Sequence, residues 1–202
     1  MIALVAAAVV FGFETDTPGQ PPKGFELALT GKGKPGRWIV QAVDDAPSGK
    51  NVLAQLDGDD TDYRFPIAYT GPELKNLRLS VRCKPVAGTG DQGCGIVWRL
   101  KDKDNYYITR ANALEDNVHL YRVVGGRRIR FEGWNGKVAS GVWHELAMEM
   151  AGDHIQVFFD GDKVIDARDA TFKDAGKFGV WTKADSIIHF DDLTATPKEE
   201  EK

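Results

Sequence analysis

Short segments in which apolar and polar side chains alternate follow one another along the whole chain, separated by stretches rich in Gly, Pro, Asp and Lys. A period of two is typical of a β-strand that buries one face. Helical periodicity never lasts longer than a turn or two, and residues 170–175 offer at most one short helical turn. Strands at such even spacing predict an all-β fold, with two antiparallel sheets packed face to face as a sandwich or jelly roll.

Residues 95–134 carry the clearest part of this pattern, because their alternation predicts consecutive β-hairpins. A preceding strand, residues 77–85, is expected to pair with the first of them across a turn at residues 88–90. Opposite residues of a hairpin share a face of the sheet, so the turns fix the register. The side chains expected on the core face are Leu79, Val81, Cys83, Cys94, Ile96, Trp98, Tyr107, Thr109, Ala111, Val118 and Leu120.

The opposite face of these hairpins combines aromatic rings with guanidinium and amide groups. A solvated sheet face usually mixes Lys, Glu and Thr, whereas rings beside guanidiniums and amides suit a planar ligand rich in hydroxyls. We therefore predict a carbohydrate-binding face, to which a neighbouring strand adds an indole and an amine. Its expected residues are Tyr106, Tyr121 and Trp181, which would stack on sugar rings, and Arg99, Arg110, Asn112, His119 and Lys183, which would bind hydroxyls. The alternative is a face covered by a loop, with its arginines paired to carboxylates such as Glu115 or Asp116.

The 202 residues fit one domain, which we place at residues 9–196. The formal net charge of −4 argues against nucleic acid as a partner, because phosphate contacts need a basic surface. The basic cluster formed by Arg127, Arg128 and Arg130 alternates along a strand, so its side chains do not all share a face. We interpret it as a solvated hairpin.

The two ends of the chain differ from the rest in composition. Residues 1–8 are apolar and end in three alanines, which resembles the end of a secretory signal peptide without its positive region. The run is too short for a membrane span. A cleaved leader would place the protein in the periplasm or outside the cell. Residues 197–202 form a charged tail that we expect to be disordered.

The chain has two cysteines, Cys83 and Cys94, which the predicted register makes cross-strand neighbours. They could form a disulfide in an oxidising compartment. Two buried free thiols are the alternative. Neither is expected to be catalytic, because neither has a histidine at a recognisable spacing.

The C-terminal sequence HIQVFFDGDKVIDARDATFKDAGKFGVWTKADSIIHFDDLTA resembles the closing half of concanavalin A-like, laminin-G-like jelly rolls. With FGFETDTPGQPPKGF near the start and NYYITRANALEDNVHLYRV in the middle, residues 9–196 are similar to bacterial members of the group that includes the 3-keto-disaccharide hydrolase domain and the small β-sandwich of exo-inulinases. The resemblance implies a concanavalin A-like jelly roll. Because this architecture hosts lectins, carbohydrate-binding modules, glycosidases and lyases, it does not decide the activity.

The same resemblance implies that the first and last strands are neighbours. Glu14 and Asp16 would then lie near Asp191 and Asp192, where several relatives place a structural Ca²⁺, a cation that requires clustered oxygen ligands. The alternative is that the two C-terminal aspartates end a strand and cap a turn. No cofactor is required by any motif in the chain.

Glycoside hydrolysis needs two carboxyl groups on either side of a sugar, and the sequence offers no clean pair. Glu115, Asp116 and Asp185 are the candidates for an acid or a base near the predicted face. Three hypotheses follow. Carbohydrate binding without turnover is preferred, a glycoside hydrolase of the 3-keto-disaccharide type acting at the same face is the first alternative, and a structural or adhesive protein-interaction module is the second.

Overall fold

A computed structural model describes residues 7–199 of the chain, which form fifteen β-strands. The strands are β1 Val9–Phe11, β2 Glu26–Gly31, β3 Trp38–Ala42, β4 Asn51–Gln55, β5 Arg64–Leu74, β6 Leu77–Ala87, β7 Gly93–Asp102, β8 Asn105–Asn112, β9 Asn117–Val124, β10 Arg127–Asn135, β11 His144–Ala151, β12 His154–Phe159, β13 Asp162–Arg168, β14 Gly176–Thr182 and β15 Ile187–Pro197. No helix in these residues is long and apolar enough to cross a membrane.

The strands are arranged in two antiparallel sheets. Sheet A has the order β13-β12-β11-β6-β15-β4-β3, with β1 paired to β15. Sheet B has the order β10-β9-β8-β7-β14-β5-β2. Strands that are distant in sequence are neighbours in both sheets, as in β6–β15 and β14–β5. The all-β sandwich predicted from the spacing of the strands is therefore confirmed.

The main core fills the space between the two sheets. Alternate residues of each strand face it. In β6, for example, Leu79 and Val81 are buried, and Ser80 between them is partly exposed. Trp98 and Tyr107 of sheet B stack in this core with ring centroids 5.6 Å apart. The core contains nearly all the side chains that the alternation assigned to the inner face.

The prediction that β6 and β7 form a hairpin is wrong. β6 lies in sheet A and β7 lies in sheet B, so the segment between them crosses from one sheet to the other. Alternation cannot distinguish these two arrangements, because the same residues face inward whether two strands pair or oppose each other across a core. Cys83 and Cys94 form a disulfide that joins the two sheets, with Cα atoms 6.4 Å apart.

The next two hairpins have the predicted register. Trp98 pairs with Tyr107 between β7 and β8, and Arg110 pairs with His119 between β8 and β9. The polar residues of β8 and β9 therefore lie together on the outer face of sheet B, while Leu120 of β9 joins the main core.

The C-terminal end is more ordered than the charge pattern predicted. β15 continues to Pro197, and the amide of Lys198 donates to the carbonyl of Asn76 at 2.9 Å. Disorder is therefore the wrong prediction for these two residues. Residues 200–202 lie outside the described part of the chain, as do residues 1–6 of the suspected leader. Residues 170–175 form no helical turn.

Sheet B is strongly curved, and its outer face is concave. The hydroxyl of Thr30 in β2 lies 2.8 Å from that of Tyr106 in β8, although in a flat sheet strands four places apart would be separated by about 19 Å. Likewise, Arg128 of β10 lies over the ring of Phe65 in β5. The curvature buries a second apolar cluster on this concave face, formed by Phe65, Ile67, Val97, Leu100, Tyr106, Ile108, Tyr121, Val123 and Trp181.

We predict that the disulfide is a main support of the sandwich. Replacing both Cys83 and Cys94 by alanine should lower the free energy of unfolding by about 2 to 3 kcal/mol, because the bond closes a short loop in the unfolded chain. Urea unfolding measures this loss. Alkylation in denaturant without reductant should modify neither cysteine of the wild type, and modification of both would contradict the bridge.

Candidate functional site

The concave face of sheet B places a buried arginine at the centre of a polar network. Nη2 of Arg110 donates to Glu115 Oε2 at 2.6 Å and to the hydroxyl of Tyr121 at 3.1 Å, and it lies 3.2 Å from His119 Nδ1. Its Nη1 donates to the side-chain oxygen of Asn117. Because Arg110 is only 2% exposed, these contacts fix the orientation of every group around it.

Gly95 of β7 leaves room for this network, because it has no side chain on the concave face. Gly95 pairs with Arg110 on one side and with Trp181 on the other. A Cβ at Gly95 would lie 3.1 Å from the Trp181 ring and 3.2 Å from the Arg110 Cβ. Glycine therefore lets the guanidinium and the indole lie side by side on the concave face.

His119 is held as a neutral imidazole. Burial lowers the pKa of its side chain, and the positive charges of Arg110 and Arg130 lower it further, to about 4. Both ring nitrogens have partners: Nδ1 lies 3.2 Å from Arg110 Nη2 and 3.1 Å from the Tyr121 hydroxyl, and Nε2 lies 3.4 Å from Nη1 of Arg130. The neutral ring has one donor and one acceptor nitrogen to share among these partners.

A cavity of about 440 Å³ opens beside this imidazole, lined by His119, Arg130, Phe131, Glu132, Gly133 and Asn135. β10 approaches the imidazole closely, because a Cβ at Gly133 would lie 2.5 Å from the His119 ring. A β-bulge between Arg130 and Glu132 changes the register of β10 at the same point. The cavity thus depends on a glycine and an irregularity in the edge strand.

Arg128 connects this cavity to the other side of the concave face. Its guanidinium carbon lies 4.6 Å from the ring centres of both Tyr121 and Phe65 and 5.6 Å from that of Trp181. Beyond Phe65, the ring of Tyr63 follows at 5.3 Å, and Tyr63 is 41% exposed. The face therefore carries a continuous row of rings and guanidiniums between an exposed tyrosine and the cavity.

Three further residues of the concave face, Tyr63, Arg128 and Arg130, are not in the set that the sequence predicts. Arg128 and Arg130 pair with Val123 and Tyr121, so they share the concave face with His119. Extending the register by one more strand places them there, whereas the basic cluster alone predicts a solvated hairpin. Tyr63 precedes β5, and nothing in its local sequence indicates that the sheet curves to bring it near this face.

Two of the predicted stacking residues are buried. Tyr106 and Trp181 are both fully inaccessible, and the indole Nε1 of Trp181 lies 3.3 Å from the Tyr106 hydroxyl. Burial raises the pKa of Tyr106 to about 12. These rings support the concave face from below and do not reach a ligand. Tyr121 is accessible only at its rim.

Arg99 does not lie on the concave face, and the prediction that it binds ligand is wrong. It sits at an irregular position in β7 with a positive φ of 45°, which turns its side chain toward the end of the sandwich. Its guanidinium donates to the carbonyls of Lys75, Phe172 and Gly152, so it ties together three connections. A strict alternation could not predict this reversal.

Asn112 and Lys183 are both partners of a buried carboxylate, that of Asp91. The Asn112 amide donates to one oxygen at 3.0 Å, and the Lys183 amine binds the other. Burial raises the pKa of Asp91 above its ordinary value despite this positive partner. Asn112 also caps the loop that follows β8, through the amide of Leu114. Only Lys183, which is partly exposed, could also contact a ligand.

The three candidate catalytic carboxyls have different surroundings. Asp185 accepts hydrogen bonds from the amides of Thr89, Gly90 and Asp91, which anchors the crossing between the sheets. These amides hold its pKa below the ordinary value although burial opposes them. Asp116 binds the Val138 amide in another loop. Neither faces the cavity.

Glu115 is the exposed carboxyl of the network, with 42% of its side chain accessible. Burial alone would raise its pKa, but Arg110 and Asn117 outweigh burial, and the pKa is lower than usual. Glu115 is therefore a carboxylate at neutral pH, available as an acceptor at the edge of the site.

The residues proposed to hold calcium do not form a metal site. Glu14 accepts from the amides of Lys50 and Asn51, and Asp16 accepts from that of Lys23. In the described range, 7–199, no group of three His, Cys, Asp or Glu side chains is placed to hold a metal ion.

The last two calcium candidates, Asp191 and Asp192, share the hydroxyl of Ser48 as a partner. Burial raises the pKa of Asp191 to about 6. The amide and the hydroxyl of Ser48 both donate to the Asp191 carboxyl, so its contacts lie within the fold.

Comparison with solved structures identifies the fold. The carbohydrate binding module CBM66 from Bacillus subtilis superposes with a TM-score of 0.66 at 20% identity, covering 84% of this chain and 94% of that one. Cellulose induced protein Cip1 gives 0.67 at 10% identity, with 96% and 100% covered. The exoplasmic/lumenal domain of VIP36, in a Ca²⁺/Man-bound form, gives 0.64 at 12% identity, with 96% and 91% covered.

No protein-family model and no curated protein matches the chain. The structural neighbours share the concanavalin A-like jelly-roll architecture, and the chain has this fold, as the sequence resemblance implied. At such low identity the likeness establishes the fold alone.

We predict that Arg99 stabilises the fold and takes no part in binding. Arg99→Leu should lower the free energy of unfolding by about 3 kcal/mol or more, because several buried carbonyls lose their donor. Arg127→Gln, at an exposed arginine, is the control and should change it by less than about 0.5 kcal/mol. Retained stability of Arg99→Leu in urea unfolding would contradict this role.

The low pKa of His119 gives a second prediction. The native state binds fewer protons than the unfolded chain between the folded pKa of about 4 and the ordinary value of about 6.5. The stability contributed by neutral His119 is therefore complete above pH 6.5 and is lost as the pH falls through 4. Arg130→Gln should raise this pKa in an NMR titration, and Arg127→Gln should leave it unchanged. A value near 6.5 in the wild type would contradict the network.

Proposed function

We propose that the protein is a carbohydrate-binding domain whose site is the concave face of sheet B, between Tyr63 and the cavity beside His119 and Arg130. The observation that carries the proposal is the network around Arg110, which holds the imidazole of His119 at this cavity. Groups fixed before binding lose little conformational freedom when a ligand arrives.

The chemistry of the accessible groups suits a sugar. A sugar hydroxyl both donates and accepts, so a site needs donors and acceptors close together. The amide of Asn135 offers N–H donors, and the carboxylate of Glu115 accepts. The exposed ring of Tyr63 provides an apolar surface for the C–H face of a sugar.

The structural neighbours support the same function. One is described as a carbohydrate binding module, and another was determined in a mannose-bound form. The fold is thus used for sugar binding in proteins of similar size. A protein-interaction module remains the alternative, but the small polar cavity favours a sugar over the aromatic, apolar centre that is typical of protein interfaces.

An extracellular or periplasmic location is part of the proposal. The disulfide between Cys83 and Cys94 supports it, because such bonds persist in oxidising compartments. Polysaccharides are abundant ligands in the same environment.

Hydrolysis is the second candidate function, favoured by one observation. Asp91 and Glu115 lie near Arg110, and their pKa values are shifted in opposite directions, as in acid–base pairs. However, the Asp91 side chain is completely buried and paired with Lys183. We therefore place binding before hydrolysis.

Binding should be lost when the accessible groups of the site are removed. A glycan array identifies ligands of the wild type, and Tyr63→Ala and Asn135→Ala should each weaken the affinity by about tenfold or more. Gln156→Ala, on the outer face of sheet A, is the matched control and should bind normally. Isothermal titration measures each affinity. Unchanged binding by both site variants would reject the concave face.

The hydrolase alternative has its own test. Incubation of the wild type with the glycans it binds should release no reducing or keto-sugar product, and Glu115→Gln should still fold. Product release that disappears in Asp91→Asn and Glu115→Gln would establish an enzyme instead.

A further inference from the structure

Two arginines on the concave face lack the carboxylate partners that their neighbours have. Arg110 pairs with Glu115, and Arg122 pairs with Asp169. In contrast, among residues 7–199 no carboxylate forms an ion pair with Arg128 or Arg130, although both belong to the same pair of strands. The face therefore carries two positive charges that the described residues do not neutralise.

Arg128 shows that this charge is partly withdrawn from water. Its guanidinium is enclosed by the rings of Tyr121, Phe65 and Trp181, and its Nη1 is buried without a hydrogen-bond partner. The neighbouring Arg110, which is almost fully buried, also has an unpartnered Nε. Buried charged donors without acceptors are unfavourable, so the described residues leave the positive charge of this face incompletely compensated.

A positive charge also lies at the cavity itself. Arg130 lines the cavity, and its Nη1 lies 3.4 Å from Nε2 of His119, a contact that uses one of its N–H groups. The remaining N–H groups of the guanidinium could donate to an oxygen placed in the cavity. They would do so most strongly if that oxygen were negatively charged.

Glu132 also lines the cavity, but its carboxylate is hydrogen-bonded to the backbone of the next residue. Glu132 accepts from the amide of Gly133 at 3.0 Å and forms no ion pair with Arg130. The low pKa of His119, about 4, keeps the imidazole neutral, so it adds no charge to the cavity at pH 7.

We propose that the natural ligand is an acidic glycan, whose carboxylate or sulfate ester binds in the cavity between Arg130 and His119 while its sugar rings extend over Arg128 toward Tyr63. This inference rests on the proposed function and narrows it to a ligand class. A guanidinium is planar and offers paired N–H donors, which match the oxygens of either anionic group.

The test compares acidic glycans with their neutral counterparts. Polygalacturonate, glucuronoxylan and hyaluronan are probed beside the same polymers after carboxyl reduction, and carrageenan is probed beside its desulfated form. The acidic member of at least one pair should bind ten times tighter or more, and its affinity should fall as salt is raised. The carboxylate and sulfate arms show which anion the cavity accepts.

Matched variants locate the charge that matters. Arg130→Gln should weaken acidic-glycan binding at least tenfold. Arg127→Gln removes the same charge from the same strand, but Arg127 pairs with Val124 and points away from the concave face, so this variant should bind normally. Arg130 is exposed, so thermal unfolding of the variant should match the wild type. Equal weakening by the two variants would overturn the inference, because it would indicate general attraction to a charged polymer.

The failures of the two proposals are distinguishable. Binding to neutral glycans only, with Arg130→Gln unaffected, would overturn the acidic ligand and leave the carbohydrate site in place. Binding to no glycan in either form would overturn both.

Discussion

The curvature of sheet B is the constraint on which the candidate site depends. It brings β2 and β10 toward the middle of the sheet and buries a second apolar cluster on a face that a flat sheet would leave in water. The side chains of Tyr106 and Trp181 are buried in this cluster. The polar side chains above the cluster are held together by their hydrogen bonds to Arg110.

The charge states of the site follow from the burial of Arg110. Arg110 is charged and nearly buried, so it needs Glu115 as an ionised partner and leaves His119 neutral. The carboxylate of Glu115 is thus accessible as an acceptor, and the buried imidazole of His119 forms part of the cavity wall. Among the described residues, Arg128 and Arg130 of β10 have no carboxylate partner, so this edge of the concave face keeps uncompensated positive charge.

The sequence predicts local pairing well, because side-chain alternation determines which residues of β8 and β9 share a face. The sequence cannot distinguish two strands that pair in one sheet from two strands that face each other across the core. It therefore predicts the Cys83–Cys94 contact within a hairpin, whereas the contact lies between the sheets. It also could not reveal curvature or the turned side chain of Arg99. Burial of Tyr106 and the approach of Tyr63 both depend on strands far apart in the chain, and a local pattern carries no information about them.

The most direct measurement is the mapping of backbone amide shifts by NMR while a retained glycan is titrated into the protein. The largest changes should fall on β9 and β10 around His119, Arg130 and Gly133, with a second group near Tyr63. Changes confined to the outer face of sheet A, such as those of Arg82 and Gln156, would contradict a concave-face site and would leave the polar network without a ligand.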